Sequence, residues 1–222
     1  MSIVDLIFPK RCVGCGSIGS YICHNCYSKI EFVDRPVCPI CQRQAVSGRT
    51  HPGCWKKLGL NGLAVGARYK GAVREAIGKV KYKFVQDIES VLAEVLCKNL
   101  WRFDIPHNFL LVPIPLHRKR ENWRGFNQSK LLVLALSKKY KVKFSDLLVR
   151  KVETRTQVGL SKEERAENVK GIFGISEGVN LKGKNVLLVD DVFTSGSTAK
   201  EACRVLKRAG AGEVWALTIA LG

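Results

Sequence analysis

Apolar positions from residue 63 onward follow two patterns, short continuous runs and runs with helical spacing. The continuous runs predict buried strands at 63–69, 110–112, 186–189 and 214–220, with a further short strand at 142–144. The helically spaced runs predict helices within 72–80, 91–96, 129–140 and 198–209. Gly210 follows the last of these, where a helix typically ends. Because strands alternate with helices, we predict an α/β fold with a mainly parallel sheet.

Residues 1–60 differ from the rest because they carry almost no periodic apolar pattern. Gly59 and Gly62 mark a joint after them, so we predict a small N-terminal module at 1–60 and a larger domain at 61–222. A segment without an apolar core needs another source of stability, and bound metal is one such source. We therefore expect metal, and not a core, to hold the module folded.

Paired cysteines supply ligands for that metal. Three Cys-x-x-Cys pairs and one His-x-x-Cys pair precede residue 60, each with the spacing that lets two side chains reach one tetrahedral Zn²⁺. The ligands are Cys12, Cys15, Cys23, Cys26, Cys38, Cys41, His51 and Cys54. They suffice for two structural zinc sites, and sequential pairing and an interleaved cross-brace both stay open. A disulfide framework is the rival interpretation, but it is typical of secreted chains with a signal peptide.

The N-terminal apolar run at 3–9 is too short to span a bilayer and is interrupted by Asp5. It also lacks the basic start and the cleavage site of a signal peptide. No other stretch of the sequence is apolar enough to cross a membrane. We therefore expect a cytoplasmic protein with reduced thiols and no membrane span.

Positive charge is the main compositional signal. The formal net charge is +18, and basic residues cluster at 79–83, 118–124, 138–143 and 150–155. Such an excess attracts polyphosphates and nucleic acid. A site for one small phosphorylated ligand would use few of these residues, so the surplus favours a polyanionic partner such as single-stranded DNA.

Two carboxylates, Asp190 and Asp191, follow the strand predicted at 186–189, and a loop of small residues leads from them into a helix. Ligands of open α/β sheets bind beyond the carboxyl ends of the strands, and N–H groups at a helix N-terminus bind phosphate. Adjacent carboxylates suit two sugar hydroxyls, or Mg²⁺ beside them. The pattern resembles the phosphoribosyl diphosphate (PRPP) signature of type I phosphoribosyltransferases. The loop residues that would wrap the 5′-phosphate are Thr194, Ser195, Gly196, Ser197 and Thr198.

A basic run follows the proline-flanked turn at 113–115, again at the carboxyl end of a predicted strand. We expect Arg118, Arg120 and Arg124 to bind the pyrophosphate of PRPP there. The polar stretch at 154–168 is a candidate lid from which Arg155 or Arg165 would close over it. A charged run of this length is also typical of a solvated face.

Two aromatic residues, Trp123 and Phe126, lie beside Arg120 and Arg124 in the sequence. Cations that follow a nucleic-acid backbone, together with aromatic rings that stack on bases, are typical of proteins that bind single strands. We therefore predict that these four residues bind single-stranded DNA. The alternative is that both aromatics are core residues that anchor the turn before the next helix.

Several motifs occur together along the chain. In order they are the four metal-binding pairs, Pro113-x-Pro115, Arg120-x-x-x-Arg124-Gly125-Phe126-Asn127-Gln128, Gln157, Arg165-x-x-Asn168 and the Asp190-Asp191 loop. This set resembles the ComF family of competence-associated, phosphoribosyltransferase-like proteins with an N-terminal double zinc ribbon. The resemblance implies a type I phosphoribosyltransferase-like fold, binding of PRPP with Mg²⁺, and a role in the uptake or processing of single-stranded DNA during natural transformation. His51 departs from the family pattern, which has a cysteine there.

Three functions stay open at this point. A phosphoribosyltransferase would displace Mg-pyrophosphate from C1 of PRPP, with Asp190 and Asp191 holding the ribose hydroxyls as its catalytic residues, and with an acceptor that the sequence does not name. A DNA-binding factor would keep the same pocket only as a PRPP sensor. A scaffold would use its zinc module to dock a competence helicase or another DNA-processing protein.

Overall fold

A computed structural model describes residues 9–82, 88–153 and 161–222. Its larger domain is built on a parallel four-stranded sheet with the strand order β1-β6-β5-β2. The strands are β1 (Gly62–Arg68), β2 (Phe109–Pro113), β5 (Asn185–Phe193) and β6 (Val214–Leu221). Each residue of β6 is buried, as is typical of parallel strands that are covered on both faces. The predicted α/β fold is confirmed.

The α-helices of the described residues are α1 (His24–Tyr27), α2 (Gly71–Tyr82), α3 (Ile88–Cys97), α4 (Arg118–Arg124), α5 (Gln128–Tyr140), α6 (Lys162–Asn168) and α7 (Ser197–Arg208). Three of them cover the sheet. Helix α3 packs on β1 and β6, α5 packs on β2 and β5, and α7 packs on β5 and β6. Within the described ranges, every helix is too short or too polar to cross a membrane.

Two short strands that the sequence did not predict form a separate antiparallel pair, β3 (Leu148–Arg150) and β4 (Phe173–Ile175). Three residues are too few to produce a recognisable alternation of apolar and polar positions. Of the strand predicted at 142–144, only Phe144 is paired, in an isolated parallel bridge with Leu111. Helix α4 was also missed, since its sequence is almost entirely polar.

The C-terminal part of the polar stretch at 154–168 is the helix α6. Ser161 caps it, since the Ser161 hydroxyl accepts from the Glu164 N–H at 3.1 Å and the Glu164 carboxylate accepts from the Ser161 N–H at 2.7 Å. This reciprocal pair is a capping box, which fixes where the helix begins. The remainder of the candidate lid, with Arg155 and Gln157, lies outside the described residues.

The N-terminal module packs against the sheet along its edge strand β1. Phe32 forms an antiparallel bridge with Ala67, and the Val33 N–H donates to the Gly66 carbonyl at 3.0 Å. Val33 and Val37 belong to the same buried cluster as the sheet. The expectation that metal alone holds the module is therefore wrong, because the module shares the core of the larger domain. These contacts also cover backbone groups that an edge strand would otherwise expose.

Candidate functional site

The eight predicted zinc ligands form two separate clusters. The first holds Cys12, Cys15, Cys23 and Cys26, and the second holds Cys38, Cys41, His51 and Cys54. In each cluster the ligand atoms lie within 4.8 Å of one another. The pairing is therefore sequential, which decides between the two alternatives that the sequence left open. Sulfur and imidazole donors in groups of four are the set that closed structural zinc sites use, so the residues fit Zn²⁺.

His51 is oriented for metal binding in the second cluster. Its Nδ1 atom lies 3.4 Å from the Cys41 sulfur, and its Nε2–H donates to the Gln44 carbonyl at 2.9 Å. Such a hydrogen bond fixes the tautomer that leaves the other ring nitrogen free to coordinate. Hydrogen bonds from the Arg43 backbone N–H and guanidinium lower the pKa of Cys41 to about 6, which favours the thiolate that binds metal.

A cleft of about 430 Å³ lies at the carboxyl edge of the sheet, and we call it the main cleft. This volume lies within the range of roughly 300–1,000 Å³ that is usual for ligand sites. The main cleft brings together all the residues predicted for ribose and 5′-phosphate. They are Asp190, Asp191, Thr194, Ser195, Gly196, Ser197 and Thr198.

The sequence predicted that the two carboxylates follow the strand, but they lie inside β5. The strand continues to Phe193 because its pairing with β6 persists there, with Asp190 opposite Thr218. Helix α5 holds both carboxylates, since the Ser129 hydroxyl donates to Asp190 Oδ1 at 3.0 Å and Gln128 Nε2 donates to Asp191 Oδ2 at 3.4 Å. The pair is therefore set in a rigid strand and oriented by a neighbouring helix.

The loop after β5 has the geometry of an anion site. Helix α7 begins at Ser197, and Gly196 precedes it with a left-handed φ of 70°. The hydroxyls of Ser195 and Ser197 are 2.8 Å apart, which holds the turn together. Backbone N–H groups at such a helix start carry partial positive charge that attracts phosphate.

Gly196→Ala is expected to abolish or strongly weaken ligand binding in the main cleft. A Cβ at this position would overlap the Phe193 ring, and the left-handed φ disfavours any residue with a Cβ. The melting temperature should also fall by several degrees. Gly178→Ala is the matched control, because Gly178 has a φ of 73° in open space. It should cost less stability than Gly196→Ala, because it adds backbone strain without a clash, and it should leave ligand-induced stabilisation intact. If both variants keep that stabilisation, the loop does not bind phosphate.

Four arginines surround the main cleft. Arg120, Arg124 and Arg165 line it as the sequence predicted, and Arg150 joins them from β3. Burial and the nearby Arg120 charge lower the pKa of Arg150, while the Asp190 carboxylate opposes this effect. Arg118 is exposed and is not among the residues that line the cleft. The cleft thus places a cationic rim beside two carboxylates, an arrangement suited to an anionic sugar phosphate.

The sequence did not assign Gln128, Ser129 and Arg150 to this site. Arg124 donates from Nη1 to Gln128 Oε1 at 2.5 Å, so Gln128 links an arginine of the rim to Asp191. Gln128 was part of a quoted motif, but its role depends on the position of α5 beside β5. Arg150 lies on a three-residue strand, and no local pattern in the sequence distinguishes it from other arginines.

The two aromatic residues predicted to bind DNA have different environments. Trp123 is 74% exposed, whereas Phe126 is half-buried and packs against the core. The core interpretation therefore holds for Phe126, and the surface interpretation holds for Trp123. Trp123 is the side chain that is available to stack on a base.

Two family models match separate parts of the chain. A double zinc ribbon domain matches residues 3–55, and a phosphoribosyl transferase domain matches residues 128–221. Among solved structures, a glutamine PRPP amidotransferase from Bacillus subtilis aligns with 62% of this chain and 29% of its own, at 16% identity and a TM-score of 0.39. The fold and the family models define a phosphoribosyltransferase-type α/β protein with an N-terminal double zinc ribbon.

Curated relatives match nearly the whole chain. Competence protein F of Haemophilus influenzae is 30% identical over 218 residues, which cover 93% of this chain and 89% of the relative. The DNA utilization protein YhgH of Escherichia coli is 31% identical over 212 residues, with coverage of 88% and 89%. The chain therefore belongs to the ComF family of competence and DNA utilization proteins, and its two metal clusters are the sites of a double zinc ribbon.

Proposed function

We propose that the protein binds PRPP with Mg²⁺ in the main cleft and acts in the uptake or processing of single-stranded DNA during natural transformation. The observation that carries the first part is one cleft with two carboxylates, a phosphate-type loop and an arginine rim. Family membership supports the second part. We propose a cytoplasmic location, and a domain boundary near residue 60, between the last zinc ligand and β1.

Each part of PRPP would have its own binding residues in the main cleft. The N–H groups of the loop at 194–198 would hold the 5′-phosphate, and Asp190 and Asp191 would hold the ribose hydroxyls. Arg120, Arg124 and Arg165 would bind the pyrophosphate, together with Arg150. Mg²⁺ prefers oxygen ligands from carboxylates and substrate phosphates, and when bound it would neutralise charge on the pyrophosphate.

Phosphoribosyl transfer would break the bond between C1 and the pyrophosphate oxygen and form a bond from C1 to an acceptor. Arginines that stabilise the leaving pyrophosphate lower the barrier of such a step, since its charge develops there. The protein should be incubated with PRPP and Mg²⁺ and with nucleobases, ammonia donors or single-stranded DNA. Pyrophosphate release that needs an acceptor supports the transferase. DNA binding that PRPP alters without release supports the sensor, and the absence of both contradicts the proposal.

Charge and one exposed ring support the DNA-binding part of the proposal. The net charge is +18, and Trp123 is exposed on α4 between two arginines that line the main cleft, Arg120 and Arg124. A strand that crosses α4 would therefore pass the edge of the main cleft. Electrostatic contacts of this kind weaken steeply with salt, whereas stacking does not.

Trp123→Ala is expected to weaken single-stranded DNA binding by roughly 5- to 150-fold without a change in salt dependence, because stacking contributes about 1–3 kcal/mol per base. Arg120→Ala with Arg124→Ala should lower the affinity and also flatten its salt dependence, because fewer counterions are released. Binding measured by fluorescence anisotropy across a salt series separates the two effects. Trp101→Ala is the control, since Trp101 is 75% exposed elsewhere on the surface and should not matter. Equal affinity in all variants would exclude α4 as the DNA site.

A further inference from the structure

The second zinc cluster touches the loop of the main cleft. The Nε2 atom of Gln42, directly after the zinc ligand Cys41, donates to the Thr194 carbonyl at 2.5 Å. The second cluster and the loop also face each other across a cavity of about 460 Å³, whose walls include Ile40 and Cys54 on one side and Ser195 and Ser197 on the other. The zinc ribbon and the loop are thus in direct contact.

The first zinc cluster provides an internal comparison for Gln42. In the first turn the N–H of Gly16 donates to the Cys12 carbonyl at 2.8 Å, and in the second the N–H of Gln42 donates to the Cys38 carbonyl at 2.9 Å. Both residues are left-handed, with φ of 79° at Gly16 and 59° at Gln42. Glycine adopts this conformation freely, whereas a residue with a Cβ is strained in it.

This comparison gives the glutamine a function beyond the turn. Glycine suffices for the same turn in the first cluster, so zinc binding does not require a side chain at this position. Strained backbone persists where the surrounding structure demands it, and such positions are concentrated at functional sites. The contact that only the side chain of Gln42 provides is the hydrogen bond to the Thr194 carbonyl.

A hydrogen bond to that carbonyl also orients the next N–H group. A trans peptide is planar, so the carbonyl of Thr194 and the N–H of Ser195 point in opposite directions. Gln42 therefore fixes the Ser195 N–H to point away from the ribbon. Lys200 orients the next peptide in the same way. Its Nζ donates to the Ser195 carbonyl at 2.8 Å, which fixes the direction of the Gly196 N–H. Two successive peptides are thus held from their carbonyl side.

We propose that Gln42 is a positioning residue through which the second zinc cluster holds the phosphate loop ready for its ligand. The inference rests on the proposed binding of PRPP. An anion-binding loop must aim several N–H groups at one phosphate, and a loop that is already ordered loses less entropy when the ligand binds. Occupancy of the second zinc cluster and affinity for PRPP are therefore coupled.

Gln42→Gly tests this because it removes the donor and relaxes the left-handed backbone. Zinc content should stay at two per chain, and the melting temperature without ligand should not fall. Hydrogen exchange of the amides at 194–199 should become faster, and the dissociation constant for PRPP, from calorimetry, should rise about five- to tenfold, as for one lost hydrogen bond. Gln42→Glu should bind more weakly still, because a carboxylate repels the Thr194 carbonyl. Gln44→Ala is the matched control, because Gln44 is an exposed glutamine two residues further along the chain.

The outcomes separate this inference from the proposed function. If the wild type does not bind PRPP, the proposed function fails, yet faster exchange of the loop in Gln42→Gly would still support the contact as a positioning device. If the wild type binds PRPP and Gln42→Gly matches it in affinity and in loop exchange, the role of Gln42 is disproved. An equal loss in Gln44→Ala would also disprove it, since that would show a general effect on the turn.

Discussion

Replacing both Asp190 and Asp191 with alanine is expected to abolish the thermal stabilisation that PRPP confers. At about one hundred times its dissociation constant, a ligand stabilises a protein by about 2.7 kcal/mol, which raises the melting temperature of a chain of this size by about 5–10 °C. Hydrogen bonds to charged groups contribute about 1.5–3 kcal/mol each, so the loss of two carboxylates weakens PRPP binding enough to remove nearly all of that stabilisation. Differential scanning fluorimetry with and without PRPP and Mg²⁺ measures the effect.

Two controls make the result specific. Asp34→Ala removes an exposed carboxylate of the N-terminal module and should leave the PRPP-induced shift unchanged. Far-ultraviolet circular dichroism of the double variant should match the wild type, because Asp190 and Asp191 line a cleft and not the apolar core. A folded double variant that keeps the full shift would show that the carboxylates do not contact PRPP.

Cys38→Ser is expected to lower both the zinc content and the stability of the protein by large amounts. Cys38 is fully buried in the second cluster, and a structural Zn²⁺ contributes of the order of 10–16 kcal/mol to small zinc modules. Zinc measured by elemental analysis should fall from two to one per chain. The melting temperature should fall by about 10 °C or more, since even a fraction of that energy is large for a chain of this size.

Cys97→Ser provides the comparison for this variant. Cys97 lies on α3, outside both clusters, and its thiol has a pKa that is raised mainly by burial. Zinc content should therefore stay at two per chain. Two zinc ions retained by Cys38→Ser, or a wild-type protein purified without zinc, would contradict the assignment of the clusters.

The sequence predicted those parts of the fold that local patterns encode. The runs at 186–189 and 214–220 are continuous and almost entirely apolar, so their strands were found to within a few residues. The pairs of zinc ligands were found because their spacing is itself local. The end of β5 was misplaced, because carboxylates are rare in strands and the pairing that extends it comes from β6.

Contacts between distant segments could not be predicted from the sequence. Gln42 and Thr194 are 152 residues apart, and nothing near either residue indicates that they meet. The same holds for Ser129 with Asp190, which the packing of α5 on β5 brings together. Sequential pairing of the zinc ligands also depended on the three-dimensional path, since four similar pairs allow more than one arrangement.

Calorimetric titration of PRPP into the zinc-loaded wild-type protein in the presence of Mg²⁺ tests the central claim most directly. The main cleft predicts saturable binding of one PRPP per chain, with weaker binding when Mg²⁺ is omitted. Ribose 5-phosphate lacks the pyrophosphate that the arginine rim would bind, so it should bind more weakly than PRPP. A folded protein with two zinc ions that takes up no PRPP at millimolar concentration would contradict the account.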